Sequence, residues 1–153
     1  MPAEVLQVAP HGDAFLDRVE QAYGLIRAKP PNPLEGLDDQ TRAGIRALLT
    51  MGTIGATDDL MAHLPRLGLI CCFGSGYEKV DLAAARRRGI WVTHSTGANA
   101  SSVADMAVTM LLASIRQTRA LHAFVADGRW QDLKAGRPPT VRGMTGRKVG
   151  IVG

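Results

Sequence analysis

The chain has 153 residues, of which 46% are hydrophobic, 21% charged and only 5% aromatic, with a formal net charge of +4. This is globular composition, which excludes a disordered or fibrous chain, and the length suits one full domain better than two. Part of the positive excess is the run Arg86, Arg87 and Arg88 ahead of Gly89, a cationic helix end stopped by glycine; with no aromatics or further basic clusters beside it, it makes no nucleic-acid surface.

In chain order, residues 4–9 read as a first strand, and His11-Gly12-Asp13 opens a helix with Phe15, Leu16 and Val19 on one face. Residues 23–28 are a second strand, followed by a stiff loop in which Pro30, Pro31 and Pro33 fix the backbone. A short helix over 38–44 precedes a strand over 46–50. Thr57 caps a helix running to about His63. Residues 68–73 are apolar at every position, as a strand covered on both faces must be. Within it Cys71 and Cys72 are neighbours and point to opposite faces, so they do not bridge one another, and no metal-type spacing exists. Two buried, reduced thiols suit a cytoplasmic protein. A helix over 80–88 and a strand over 90–93 complete an alternation that predicts a doubly wound parallel α/β sheet.

Residues 99–126 break the pattern. Ser102 and Asp105 have capping-box spacing at the head of one long predicted helix. Val103, Met106, Ala107, Val108, Met110, Leu111, Leu112 and Ile115 then run nearly all the way round it, while Arg116, Gln117, Arg119 and His122 carry its tail into solvent. A helix apolar on all sides must be covered on all sides. It is either buried at the centre of one domain or covered by a second domain or subunit. With Asp105, Thr109 and Ser114 inside it, the segment is too short and too polar to cross a membrane, and residues 1–9 carry no secretory signal. Residues 147–153 predict a new strand entering a glycine turn.

Three stretches have the make-up of a ligand site. Gly74-Ser75-Gly76 follows the buried strand, where open parallel sheets collect ligands and where backbone amides hold anions; it also reads as a plain turn. Asn99 lies between a strand and the apolar helix, near a helix N-terminus suited to an anionic or carbonyl ligand; Asn99, Ser101 and Ser102 also read as simple caps. Gly153 is the first glycine that a dinucleotide turn would need. The histidines, at 11, 63, 94 and 122, are scattered and read as surface or core residues.

In order, Leu64-Pro65-Arg66-Leu67, the segments 74–81 and 83–90, Val92-Thr93-His94-Ser95-Thr96-Gly97-Ala98-Asn99, Ser102-Val103-Ala104-Asp105, Gly128-Arg129-Trp130 and the segment 146–153 resemble the D-isomer-specific 2-hydroxyacid dehydrogenases. Among these, 103–153 is most similar to glyoxylate/hydroxypyruvate reductases; residues 1–45 match only in general pattern. The resemblance implies a flavodoxin-like substrate domain over 1–98 and the first helix and strand of a Rossmann domain over 99–153, cut short. It implies an oxidoreductase moving hydride between NAD or NADP, with NADP preferred, and a small 2-keto acid. Ser75 and Gly76 would hold the substrate carboxylate and Asn99 would touch substrate. Val103 and Gly153 would lie at the cofactor. Met106, Met110 and Trp130 would lie in a homodimer interface. The family's catalytic Arg, Glu and His would fall past residue 153, so no catalytic residue is assigned here and the chain alone is expected to be inactive. The alternative is a non-catalytic dimerising or regulatory fragment that pairs through the helix near 103–115. Two departures stand out: Thr96-Gly97 where relatives carry Pro-Asp or Pro-Gly, and Glu78 where Asp is usual.

Overall fold

The computed structural model describes residues 4–29, 31–131 and 136–152. They belong to two compact units, one ending at Asn99 and one beginning at Ala100.

The first unit is β1 (Val5–Gln7), α1 (Asp13–Tyr23), β2 (Leu25–Arg27), α2 (Asp39–Gly44), β3 (Ala47–Met51), α3 (Asp58–Ala62), β4 (Leu69–Phe73), α4 (Leu82–Arg87) and β5 (Trp91–His94). All neighbouring strands pair in parallel, in the order β2-β1-β3-β4-β5. That is the flavodoxin-like order, so the α/β doubly wound expectation holds.

Side-chain alternation divides the core. Leu6, Leu48, Ile70 and Cys72 face one way and pack with Leu60, Met61, Leu64, Ala84 and Ala85 of the α3 and α4 side. Val5 and Leu49 face the other way and meet Leu16 of α1, with Cys71 packed against that smaller cluster. Full burial of each Val, Leu, Ile or Met side chain among these contributes roughly 1.5–3 kcal/mol. The expectation that both cysteines are buried is corrected: Cys72 is buried and Cys71 only partly. The small Leu16 cluster reaches β4 only through Cys71 and does not extend to β5, where Trp91, in register with Leu69, is 77% exposed.

Local chemistry ends these elements as their sequence implies. The Thr57 hydroxyl accepts from the Leu60 amide at 3.2 Å, and the Asp81 carboxylate accepts from the Ala84 amide at 2.8 Å. Gly89, at φ +69°, turns the chain out of α4. The cationic end of α4 pairs with the head of α3, Arg88 reaching Asp58 at 2.8 Å.

The second unit contains α5 (Ala100–Ile115) and α6 (Thr118–Ala126), which corrects three expectations. The single long helix is two helices, because Gln117 adopts a left-handed conformation (φ 48°, ψ 44°) and its side-chain amide donates to the Thr140 carbonyl at 3.0 Å. Ser102 is the third residue of α5, so the capping box does not form. No residue of α5 is buried, which removes the alternative of a helix buried within one domain. In α6, Phe124 is buried, with the Arg129 guanidinium 4.7 Å above its ring. The strand expected over 147–153 is also corrected. Residues 147–152 form none, for a strand exists only through a ladder and none of the described residues pairs with them; Ile151 is 93% exposed. Gly153 itself lies outside the described residues. Among the described residues no helix is long and apolar enough to cross a membrane.

Candidate functional site

Because the strands are parallel, the loops after β3, β4 and β5 gather at one edge of the sheet. The β3 and β4 loops are joined by backbone hydrogen bonds. Lys79 donates to Gly52 at 3.1 Å, Ala56 to Lys79 at 3.2 Å and Asp81 to Ala56 at 2.9 Å. Close approach requires glycine: a Cβ on Gly55, at φ +77°, would collide with the Lys79 backbone. Underneath, the buried Thr50 hydroxyl donates to the Gly55 carbonyl at 2.7 Å. On the other side, the Ser95 amide donates to the Gly74 carbonyl at 2.8 Å. The β4 loop is thus gripped from both flanks.

At its centre, the Ser75 hydroxyl donates to Asn99 Oδ1 at 2.9 Å. The Ser75 carbonyl accepts from His94 Nδ1 at 2.9 Å, and Thr96 Oγ1 lies 3.1 Å from His94 Nε2. The Tyr77 ring stands edge-on to the imidazole at 4.8 Å. The structure therefore brings Ser75, Gly76 and Asn99 together at a strand's carboxyl end. The amides of Ser75 and Gly76 and the Asn99 side-chain NH₂ have no hydrogen-bond partner among the described residues. Unpartnered donors at one loop tip are what an anion or a carbonyl oxygen needs. Glu78 works against this: its carboxylate oxygens lie 2.5 and 2.6 Å from where a Cβ on Gly76 would stand. That like charge is solvent-exposed and hence screened.

A depression of about 320 Å³ opens at the same edge, lined among others by His11, Phe73, His94 and Ser95. A larger one, about 430 Å³, lies between Val8, Lys29, Leu34 and Ile54 and contains none of the three assigned residues. Burial pushes the Cys72 thiol up, with Cys71 and Glu78 adding to the shift, so Cys72 behaves as core and not as a nucleophile. No group of three or more metal-ligating side chains exists among the described residues.

His94 is the residue that sequence reasoning passed over. Read as a lone histidine it carried no signal; its place at the last position of β5, beside the glycine loop of β4, was the available clue. The other assigned residues lie in the second unit. Val103, Met106, Met110 and Trp130 are 56%, 59%, 64% and 60% exposed. The described residues do not fit a complete dinucleotide site, because without a strand at 147–152 no strand–turn–helix forms to hold a pyrophosphate.

The sequence model of the family described as D-isomer specific 2-hydroxyacid dehydrogenase, catalytic domain, matches residues 7–146. The chain belongs to this family, whose members are NAD(P)-dependent oxidoreductases. It is 38% identical to a glyoxylate/hydroxypyruvate reductase of Arabidopsis thaliana, covering 99% of this chain and 47% of that one. It is 34% identical to a 2-ketogluconate reductase of Gluconobacter oxydans, covering 98% and 46%. Among solved structures it is similar to a 2-hydroxyacid dehydrogenase from Ketogulonicigenium vulgare, with a TM-score of 0.81 and 32% identity over 96% of this chain and 46% of that one. The chain spans just under half the length of each of these relatives.

Proposed function

We propose that this chain supplies the substrate-carboxylate site of a reductase that moves hydride from NAD(P)H, with NADPH preferred, to a small 2-keto acid of the glyoxylate or hydroxypyruvate class. Residues 1–98 act as the substrate domain and 99–153 as the beginning of the NAD(P) domain. The observation that carries the reading is the pair of unpartnered amides at Ser75 and Gly76, with Asn99 tied to the same loop by the Ser75 hydroxyl. The amides take the substrate carboxylate through charge-assisted hydrogen bonds, the stronger kind. Asn99 Nδ2 is free to donate to a substrate oxygen. Holding the acid in one orientation is this chain's contribution, and orientation is a large part of catalysis. Val103 and Gly153 are proposed at the cofactor. The described residues do not form its phosphate turn.

The name of the Arabidopsis relative supports the substrate class, and that of the Gluconobacter relative supports a 2-keto acid more broadly. The chain by itself is proposed to be inactive and cytoplasmic. Titration of the ¹⁵N-labelled chain with oxamate, an unreactive isostere of these acids, is expected to shift the Ser75 and Gly76 amides and the Asn99 side chain. Shifts confined to other residues overturn the assignment. Oxidation of NADPH by the 153-residue chain with glyoxylate overturns the inactivity.

A second reading rests on α5. Val103, Met106 and Met110 are apolar and more than half exposed, so a homodimer through this helix, with Trp130 beside it, is proposed. A stable dimer in sedimentation with no oxamate-induced shift favours the non-catalytic, pairing fragment.

A further inference from the structure

We propose that His94 is a positioning residue: it fixes the direction in which the Gly76 amide points and so holds the carboxylate clamp in its working orientation. This rests on the carboxylate reading above and names the part of the fold that makes the clamp rigid.

A peptide unit is planar and trans, so its carbonyl and its N–H point in opposite directions within one rigid plane. The Ser75 carbonyl and the Gly76 N–H belong to the same unit. Whatever pins the first aims the second. Pinning is needed here because glycines flank Ser75, and Gly74 already sits at φ +98°. Glycine on both sides leaves the peptide planes soft to rotation.

His94 Nδ1 lies 2.9 Å from the Ser75 carbonyl oxygen. A carbonyl only accepts, so Nδ1 carries the proton. In the neutral ring Nε2 is then an acceptor. Thr96 Oγ1 packs against the same ring, 3.1 Å from Nε2 and 3.5 Å from Nδ1. The Tyr77 ring, edge-on at 4.8 Å, limits rotation of the imidazole. Three further contacts fix the pin relative to the loop. His94 pairs in register with Cys72 of β4, the Ser95 amide holds the Gly74 carbonyl, and the Ser75 hydroxyl holds Asn99. The ring's one hydrogen bond to backbone therefore falls on this peptide plane. His94 need not touch the substrate to matter: it sets the donor that does.

The test uses the intact ¹⁵N-labelled chain and three readouts. Imidazole ¹⁵N shifts are expected to report the Nδ1–H tautomer of His94; the Nε2–H tautomer overturns the proposal. Oxamate affinity, followed at the Ser75 and Gly76 amides, is expected to fall about three- to tenfold in His94→Leu, the worth of one hydrogen bond. His94→Asn, which keeps an N–H donor where Nδ1 stands, is expected to bind as the unsubstituted chain does. Equal binding by all three forms, or an Asn form as weak as the Leu form, overturns the positioning role while leaving the carboxylate reading intact. No Gly76 shift in the unsubstituted chain overturns both. If His94→Leu loses the dispersed amide spectrum of the folded sheet, the tautomer and the Asn form decide.

Discussion

Ile70 and Met110 are comparable apolar side chains, each within a regular element, in different units of the molecule. Ile70, in β4, is 0% exposed, with covers on its face of the sheet from α3 and α4. Met110, in α5, is 64% exposed. Among the described residues, Phe124 is the single buried hydrophobic of the second unit, while the first unit holds all the others. The contrast teaches that apolarity sets a demand for cover and does not supply it. In the first unit, crossover helices between parallel strands bring the covers automatically. In the second, a helix apolar on every side outruns what one neighbouring helix can bury.

Substitutions sharpen this contrast. Ile70→Ala is expected to cost about 2–5 kcal/mol, because a cavity remains where the sheet cannot collapse. Met110→Ala is expected to stay within about 0.5 kcal/mol. Urea denaturation of both variants checks the pair, and a large loss at Met110 would show that α5 is covered in solution, most simply by a second copy of the chain. A smaller effect tests how the first unit carries its order out to the loops. Thr50→Val keeps shape but leaves the Gly55 carbonyl without its 2.7 Å donor, with an expected cost of about 1–3 kcal/mol. Faster hydrogen exchange at the Ala56 and Lys79 amides is expected with it, since that bond underlies the junction of the β3 and β4 loops.

The smallest effect lies at the surface of the first unit. A hydrogen bond from Arg88 holds the Asp58 carboxyl below its usual value of 3.8, against desolvation, with the charges of Arg88 and Arg87 and a hydrogen bond from Arg87 adding to the lowering. A depressed carboxylate stabilises the fold above the unfolded value, and that stability is lost as pH falls through the folded one. The gap in urea midpoint between the unsubstituted chain and Asp58→Asn is therefore expected at neutral pH and should shrink as pH drops below 3.8. An unchanged gap at low pH would assign it to something other than this ion pair.

The first unit was legible because its signals are local. The unbroken apolar run of β4, the Thr57 cap and the Gly89 stop each act within a few residues, and the strands fall within two residues of their expected ends. The second unit was less legible for the same reason reversed. No propensity marks Gln117 as a left-handed break; its amide bond to Thr140, 23 residues away, accompanies it. Likewise, 147–152 has the composition of a strand, but a strand needs a partner that composition does not provide.

At the site, the residue types left Gly74-Ser75-Gly76 open to a plain turn and Asn99 open to a helix cap; the resemblance to the family is what named Ser75, Gly76 and Asn99. The sequence by itself therefore determined the family and the parallel α/β sheet. Only the tertiary structure decided which groups share the site: Ser75 and Asn99 are 24 positions apart and Ser75 and His94 are 19, and sheet register closes both distances to 2.9 Å. The physical reason is that hydrogen bonds act over a few ångströms in space, whereas a lone histidine in a sequence carries no information about which carbonyl it will face.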